Sequence, residues 1–179
     1  MRHKISEVLA RSELIYDRFE IEQSIDHMAL KIRKDYHDQF PVFLTLMHGG
    51  MLFAARLALE MGIDAEFDYL HATRYHGETK GSGLAWLHRP ATIIEGRSVL
   101  LVDDILDEGH TLKAVRDWCE DQGAIKVKIA VMTTKQHDRC VPGLKADYSG
   151  LYVPDRYIFG YGMDINEHGR NLPGIYALS

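Results

Sequence analysis

The 179-residue chain is short of several features whose absence narrows what it can be. Its two cysteines, Cys119 and Cys140, are too few for a disulfide framework and too far apart for a C-x-x-C motif, so reduced thiols are expected. Ten histidines are present, but none falls in an H-x-x-x-H, H-E-x-x-H or cysteine-histidine arrangement, so no zinc site is expected. No apolar run approaches the roughly 18 residues of a membrane helix. The opening MRHKISEVLARSEL lacks both a continuous apolar stretch and a small-residue cleavage site, so no membrane partner and a cytoplasmic location are expected. Positive charge is not in excess: 21 Lys and Arg against 26 Asp and Glu leave a net charge of -5, which disfavours nucleic acid as a partner. Also missing are G-x-G-x-x-G and G-x-x-x-x-G-K-[ST], which argues against a dinucleotide-dependent oxidoreductase and a P-loop nucleotidase.

What remains is an ordinary globular composition, 46% hydrophobic and 26% charged. Folding a chain of this size buries about 70% of its surface, enough for one domain over residues 1–179. Ile21, Ile25, Met28, Ala29, Ile32 and Tyr36 share one helical face. Val42 to Met47 (VFLTLM) reads as a buried strand, Gly49-Gly50 as a turn, and MLFAARLALEM before Gly62 as a helix. A strand is expected over Ala65 to Thr73, a polar glycine-rich loop over Tyr75 to Gly83, and a buried strand over Ser98 to Val102 that delivers Asp103-Asp104. A helix follows from Thr111 to Gln122, then strands over Ile125 to Thr134, Tyr148 to Val153 and Tyr157 to Tyr161. Strands alternating with helices predict an α/β fold: a mostly parallel twisted sheet flanked by helices, with ligands at the carboxyl ends of its strands.

Three segments sit at such ends: Met47 to Gly50, Asp103 to Thr111, and Lys135 onward. Two adjacent carboxylates after a strand can accept hydrogen bonds from a vicinal diol, and a glycine turn into a helix presents backbone N–H groups to an anion. A ribose 5-phosphate satisfies both halves. Three aspartates within five positions exceed what a turn residue at Asp107 and a helix cap at Thr111 alone would require.

The segment VLLVDDILDEGHTL, Val99 to Leu112, resembles the phosphoribosyl pyrophosphate signature of the type I phosphoribosyltransferases. TTK at Thr133 to Lys135, ADYSGLYVPDRYIFGYG at Ala146 to Gly162, DINEHGRNLP at Asp164 to Pro173 and the early LTLMHGGMLFAARLA are similar to the hypoxanthine-guanine branch of that family. The resemblance implies the type I fold, with a small hood built from the N-terminal segment and the region after about 145, and a flexible lid at about 74–86 carrying Arg74 and Tyr75. It implies transfer of phosphoribose from phosphoribosyl pyrophosphate to N9 of a 6-oxopurine, with magnesium, in a homodimer or homotetramer.

Carried over by position, Asp103 and Asp104 hold the ribose hydroxyls, and Asp107, Glu108, Gly109, His110 and Thr111 wrap the 5-phosphate. Asp107 is the general base near purine N7. His48, Gly49 and Arg170 match the pyrophosphate site. Lys135, Tyr148, Ser149 and Asp155 match the purine site, with Lys135 selecting oxopurines because an ammonium can only donate, Tyr148 stacking on the base, and Asp155 also contacting magnesium. The chain departs from familiar members at Glu108 and His110, where threonine and lysine are common, and at His48, where lysine is; these changes remove positive charge near phosphates. A phosphoribosyl pyrophosphate-sensing regulator of the same fold is the alternative reading, and Asp107 with Lys135 argues for chemistry instead. The Asp107→Asn variant is expected to keep its fold, by circular dichroism, and to lose about 10²- to 10⁴-fold in turnover.

Overall fold

A computed structural model describes residues 5–74 and 84–179. Along the chain run α1 (Ile5–Leu9), β1 (Ser12–Tyr16), α2 (Arg18–Tyr36), β2 (Val42–Leu46), α3 (Met51–Met61), β3 (Glu66–Arg74) and β4 (Leu84–His88). Then come β5 (Ser98–Leu106), α4 (His110–Asp121), β6 (Lys126–Lys135), β7 (Tyr148–Val153), β8 (Ile158–Phe159) and β9 (Ile175–Leu178).

The central sheet has the order β4-β3-β2-β5-β6-β7, parallel throughout except where β4 returns along β3. Every residue of β2 is buried, as the apolar run VFLTL requires of a strand covered on both faces. One face carries α2 and α3, which bury Ile25, Ile32, Phe53 and Leu57 against Leu100 and Met132 of the sheet. The other carries α4, whose Leu112, Val115 and Cys119 pack with Val99, Leu101 and Val131. The reversal at β2 and β5, neighbours joined through different faces, places the carboxyl ends of both strands beside each other at the switch point of the sheet.

Local sequence explains the helix ends. Asp17 and Glu20 form a reciprocal capping box at the start of α2, each side chain 2.9 Å from the other residue's backbone nitrogen. Helix α3 stops at Gly62, whose left-handed φ of 58° suits a residue without Cβ.

Both ends of the chain meet in a second sheet, β1-β9-β8, antiparallel throughout. It is tied to the main body by the Tyr16 hydroxyl, which donates to the Tyr152 carbonyl at 2.8 Å. The loop beyond β8 lies on the turn after β2, so close that a Cβ on Gly162 would stand 2.2 Å from the Gly49 carbonyl oxygen.

Several expectations need correction. Strand β5 runs on through Asp103 and Asp104 to Leu106, because β6 continues to pair with it as far as Thr134. Leu84–Trp86, expected inside the lid, belongs to β4: Trp86 packs against Trp118 of α4 at a ring separation of 4.9 Å, and burial favours strand there. Arg74 closes β3, while Tyr75 and the rest of the expected loop up to residue 83 lie outside the described residues. Asp17→Ala is expected to cost about 1 kcal/mol and Leu57→Ala about 2–5 kcal/mol, read as lower urea midpoints at unchanged slope.

Candidate active site

The ends of β2, β5 and β6 converge on one region, and β5 supplies its most unusual feature. The Asp104 backbone N–H donates to the Asp103 carboxylate at 2.9 Å, and the Asp104 side chain is buried. Burial pushes both carboxyls up, Asp103 further because it also faces the Asp104 charge. Bonds within the pair and the nearby Arg170 guanidinium partly offset this for Asp104, so Asp103 is the member that holds a proton more readily. No side chain fits between β5 and the turn after β2: a Cβ on Gly49 would lie 2.0 Å from the Asp104 Oδ2.

Beyond β5 the chain turns through Gly109, whose φ of 79° is left-handed, and enters α4 with no side-chain cap. The first N–H groups of α4 therefore face a cavity of about 300 Å³ lined by Asp103, Asp104 and residues 107–112. Glu108, expected to be awkward beside a phosphate, is half exposed and stands 3.6 Å from the His110 imidazole.

Asp107 borders this cavity and also a second of about 320 Å³ lined by Lys135, His137, Ser149 and Tyr152. Its Oδ2 accepts from Lys135 Nζ at 2.6 Å and its Oδ1 lies 2.6 Å from His137 Nε2. Burial alone would raise the Asp107 carboxyl, but these two partners outweigh it and hold it below the ordinary carboxylate range. Ser149 shares the second cavity and bonds Thr134 through their hydroxyls at 2.7 Å.

On the other side of the aspartate pair, the His48 ring meets His71 edge-on at 4.4 Å. Burial lowers the His71 imidazole, and His48 and Arg170 lower it further. Arg170 is held by the Gly162 carbonyl at 2.9 Å and by the Asp164 carboxylate at 2.8 Å. His48, Gly49 and Arg170 are thus brought together around Asp104.

Of the expected site residues, Tyr148 is elsewhere, and Asp155, though near Lys135 and His137, is engaged by a neighbour. Tyr148 is buried, and its hydroxyl donates to Asp35 at 2.5 Å and accepts from Lys128 at 2.9 Å, on the helix-covered face of β7 and beside a separate groove of about 780 Å³. The ring cannot also stack in the cavity of Lys135. Asp155 is taken up by a bidentate pair with Arg139, at 2.7 and 2.8 Å, rather than facing the aspartate pair. The carboxylate that does stand with Arg170 is Asp164, and the half-exposed Tyr157 donates its hydroxyl to the Asp164 carbonyl at 3.2 Å. The sequence reading also missed His137 and His71. His137 lies in the bend two residues beyond the end of β6 and His71 within β3, and neither sits in a motif that marks it.

The aspartate pair carries a pH signature. A carboxyl raised on folding makes the native state bind more protons than the unfolded chain between the ordinary 3.8 and the raised value, so stability falls as pH climbs through that window. Asp103→Asn is therefore expected to raise the melting temperature at pH 7 by about 2–4 °C per kcal/mol relieved, with the gain shrinking toward pH 4.

Known proteins resemble this chain in sequence and fold. A family model described as a phosphoribosyl transferase domain matches residues 12–166. The hypoxanthine-guanine phosphoribosyltransferase of Streptococcus pneumoniae is 36% identical over 160 residues, spanning 89% of this chain and 88% of that protein. The Bacillus subtilis protein of the same name is 31% identical over 179 residues, spanning 99% and 96%. A crystal structure of a hypoxanthine phosphoribosyltransferase from Staphylococcus aureus superposes with a TM-score of 0.89 over 100% of this chain and 97% of that one, at 24% identity, and shows the same fold. This chain belongs to the phosphoribosyltransferase family, and its relatives there are hypoxanthine-guanine enzymes.

Proposed function

We propose that the protein is a purine-salvage enzyme that moves the phosphoribosyl group of phosphoribosyl pyrophosphate to N9 of hypoxanthine or guanine, releasing pyrophosphate. The observation that carries this reading is Asp107, which joins an anion cradle on one side to Lys135 on the other. A sensor of the donor alone would need the cradle but not a lysine held against that carboxylate.

In this reading Asp103 and Asp104 accept from the ribose 2- and 3-hydroxyls, and the N–H groups at the start of α4 with the Thr111 hydroxyl hold the 5-phosphate. Pyrophosphate lies over Gly49, where only a glycine leaves room beside Asp104, with Arg170 and His48 at hand for the charge that grows as it departs. The purine N7 proton passes to Asp107 as the N9–C1 bond forms and the bond from C1 to pyrophosphate oxygen breaks. Lys135 has three N–H donors, so one stays on Asp107 while another reaches the purine O6. Adenine offers an amino group there and leaves that donor without an acceptor.

Magnesium fits the same corner. Among the described residues no three histidine, cysteine or acidic side chains converge on one point, and Mg²⁺ favours one or two carboxylates plus phosphate oxygens. Asp164, next to Arg170, supplies such a carboxylate in place of Asp155, and a bound ion there would neutralise the diphosphate. Tyr157 replaces Tyr148 as the aromatic ring offered to the base, because its ring is open to solvent beside Asp164. We further propose one domain over the whole chain, with the β1-β9-β8 sheet as a hood. Assembly as a homodimer or homotetramer and a cytoplasmic location rest on the resemblance.

A panel of hypoxanthine, guanine, xanthine, adenine and uracil with phosphoribosyl pyrophosphate and magnesium tests the reading. Nucleoside monophosphate is expected from hypoxanthine or guanine and not from adenine. Lys135→Ala is expected to lose about 1–3 kcal/mol of oxopurine recognition, a 5- to 150-fold fall in kcat/KM. Equal use of adenine and hypoxanthine by the wild type would remove Lys135 from specificity.

A further inference from the structure

We propose that His137 is a positioning residue for the transfer: its imidazole, locked in one tautomer, donates to Asp107 and fixes the plane in which that carboxylate meets the purine. The proposal rests on the reading of Asp107 as the proton acceptor.

The tautomer follows from two contacts. The backbone N–H of Arg139 donates to His137 Nδ1 at 3.0 Å, so Nδ1 presents a lone pair and the ring proton sits on Nε2. Nε2 points at Asp107 Oδ1, 2.6 Å away. The side chain is 3% exposed, so water does not compete for either nitrogen. Lys135 binds the other carboxylate oxygen, also at 2.6 Å. With one donor alone, a carboxylate can pivot and share both oxygens with it. Two donors from different directions, one on each oxygen, remove that freedom and leave the remaining lone pairs aimed into the cavities.

The ring's immediate surroundings support a positioning role. Lys135 precedes it on β6, Arg139 and Cys140 follow it, Glu108 lies beside Asp107 on the phosphate turn, and Asp155 faces it from beyond β7. Arg139 and Asp155 neutralise each other in their bidentate pair, and the Cys140 thiol is raised, chiefly by burial. Lys135 and His137 are therefore the two groups that set the ionisation of Asp107, and losing His137 lets its carboxyl rise toward the ordinary value.

The experiment compares wild type, His137→Phe and His137→Gln, with the melting temperature of each. Phenylalanine keeps the ring's bulk and removes both polar contacts, while glutamine restores an N–H donor at similar reach. For His137→Phe, kcat/KM for hypoxanthine is expected to fall about 10- to 100-fold, and its acidic limb to move to higher pH. The KM for phosphoribosyl pyrophosphate is expected to stay within about twofold. His137→Gln is expected to return kcat/KM to within about fivefold of wild type. In wild type, ¹⁵N NMR of the histidine ring is expected to show Nε2 protonated and Nδ1 bare at pH 7.

A ring protonated at Nδ1, an acidic limb that does not move, or a loss that follows melting temperature and is not restored by glutamine would each overturn the proposal. A wild type that turns over no 6-oxopurine would instead sink the transfer reading, and the NMR tautomer would still decide the His137 geometry.

Discussion

The contact on which the site depends is the one between a buried carboxylate and a backbone that has no side chain to keep it away. Asp104 lies under Gly49 so closely that a methyl group there would overlap its oxygen, and Gly162 packs as closely on the Gly49 carbonyl. Three segments far apart in sequence are thereby stacked: the turn after β2, the end of β5 and the loop beyond β8. Burying a carboxylate in this way is costly, since neither Asp103 nor Asp104 is as well solvated as in the unfolded chain. In the proposed reading a ligand's hydroxyl groups replace the missing water, so that function opposes stability at this pair.

Asp107 plays the complementary part. Where Asp103 and Asp104 are pushed toward the neutral form, Asp107 is held charged by Lys135 and His137 only a few residues along the same segment. Neighbouring carboxylates with opposite shifts are suited to different tasks: in the proposed reading, the pair accepts hydrogen bonds from a sugar and the other group takes a proton from a base. The turn at Gly109 carries the chain from these aspartates into α4, and all of them line one cavity with the start of that helix.

Much of this was legible in the residues. The buried runs of β2 and β5, the amphipathic α2 and the acidic turn into α4 each carry a local pattern, and local patterns are what a single sequence displays. The ends of the chain were not, because β1 and β9 are short strands whose pairing joins Ser12 to Leu178, and nothing near either partner announces the other. The errors at Tyr148 and Asp155 have one physical origin. The stretch from Ala146 to Asp164 offers four tyrosines and three aspartates. Which of them faces the site depends on where β7 ends and on the claims of Asp35, Lys128 and Arg139, all remote in sequence or lying outside the motif. Asp35 and Lys128 hold Tyr148 on the far face of β7, and Asp155 pairs with Arg139, whereas Asp164 pairs with Arg170, the cation beside Asp104, and its carbonyl accepts from Tyr157.

A crystal structure of the protein with phosphoribosyl pyrophosphate and magnesium tests the central claim most directly. The account predicts the ribose hydroxyls within hydrogen-bond distance of Asp103 and Asp104, the 5-phosphate on the N–H groups of residues 109–111, and the diphosphate over Gly49 beside Arg170 with the ion near Asp164. A donor seated in the groove between α2 and β7, or one whose ribose turns away from the aspartate pair, would contradict it.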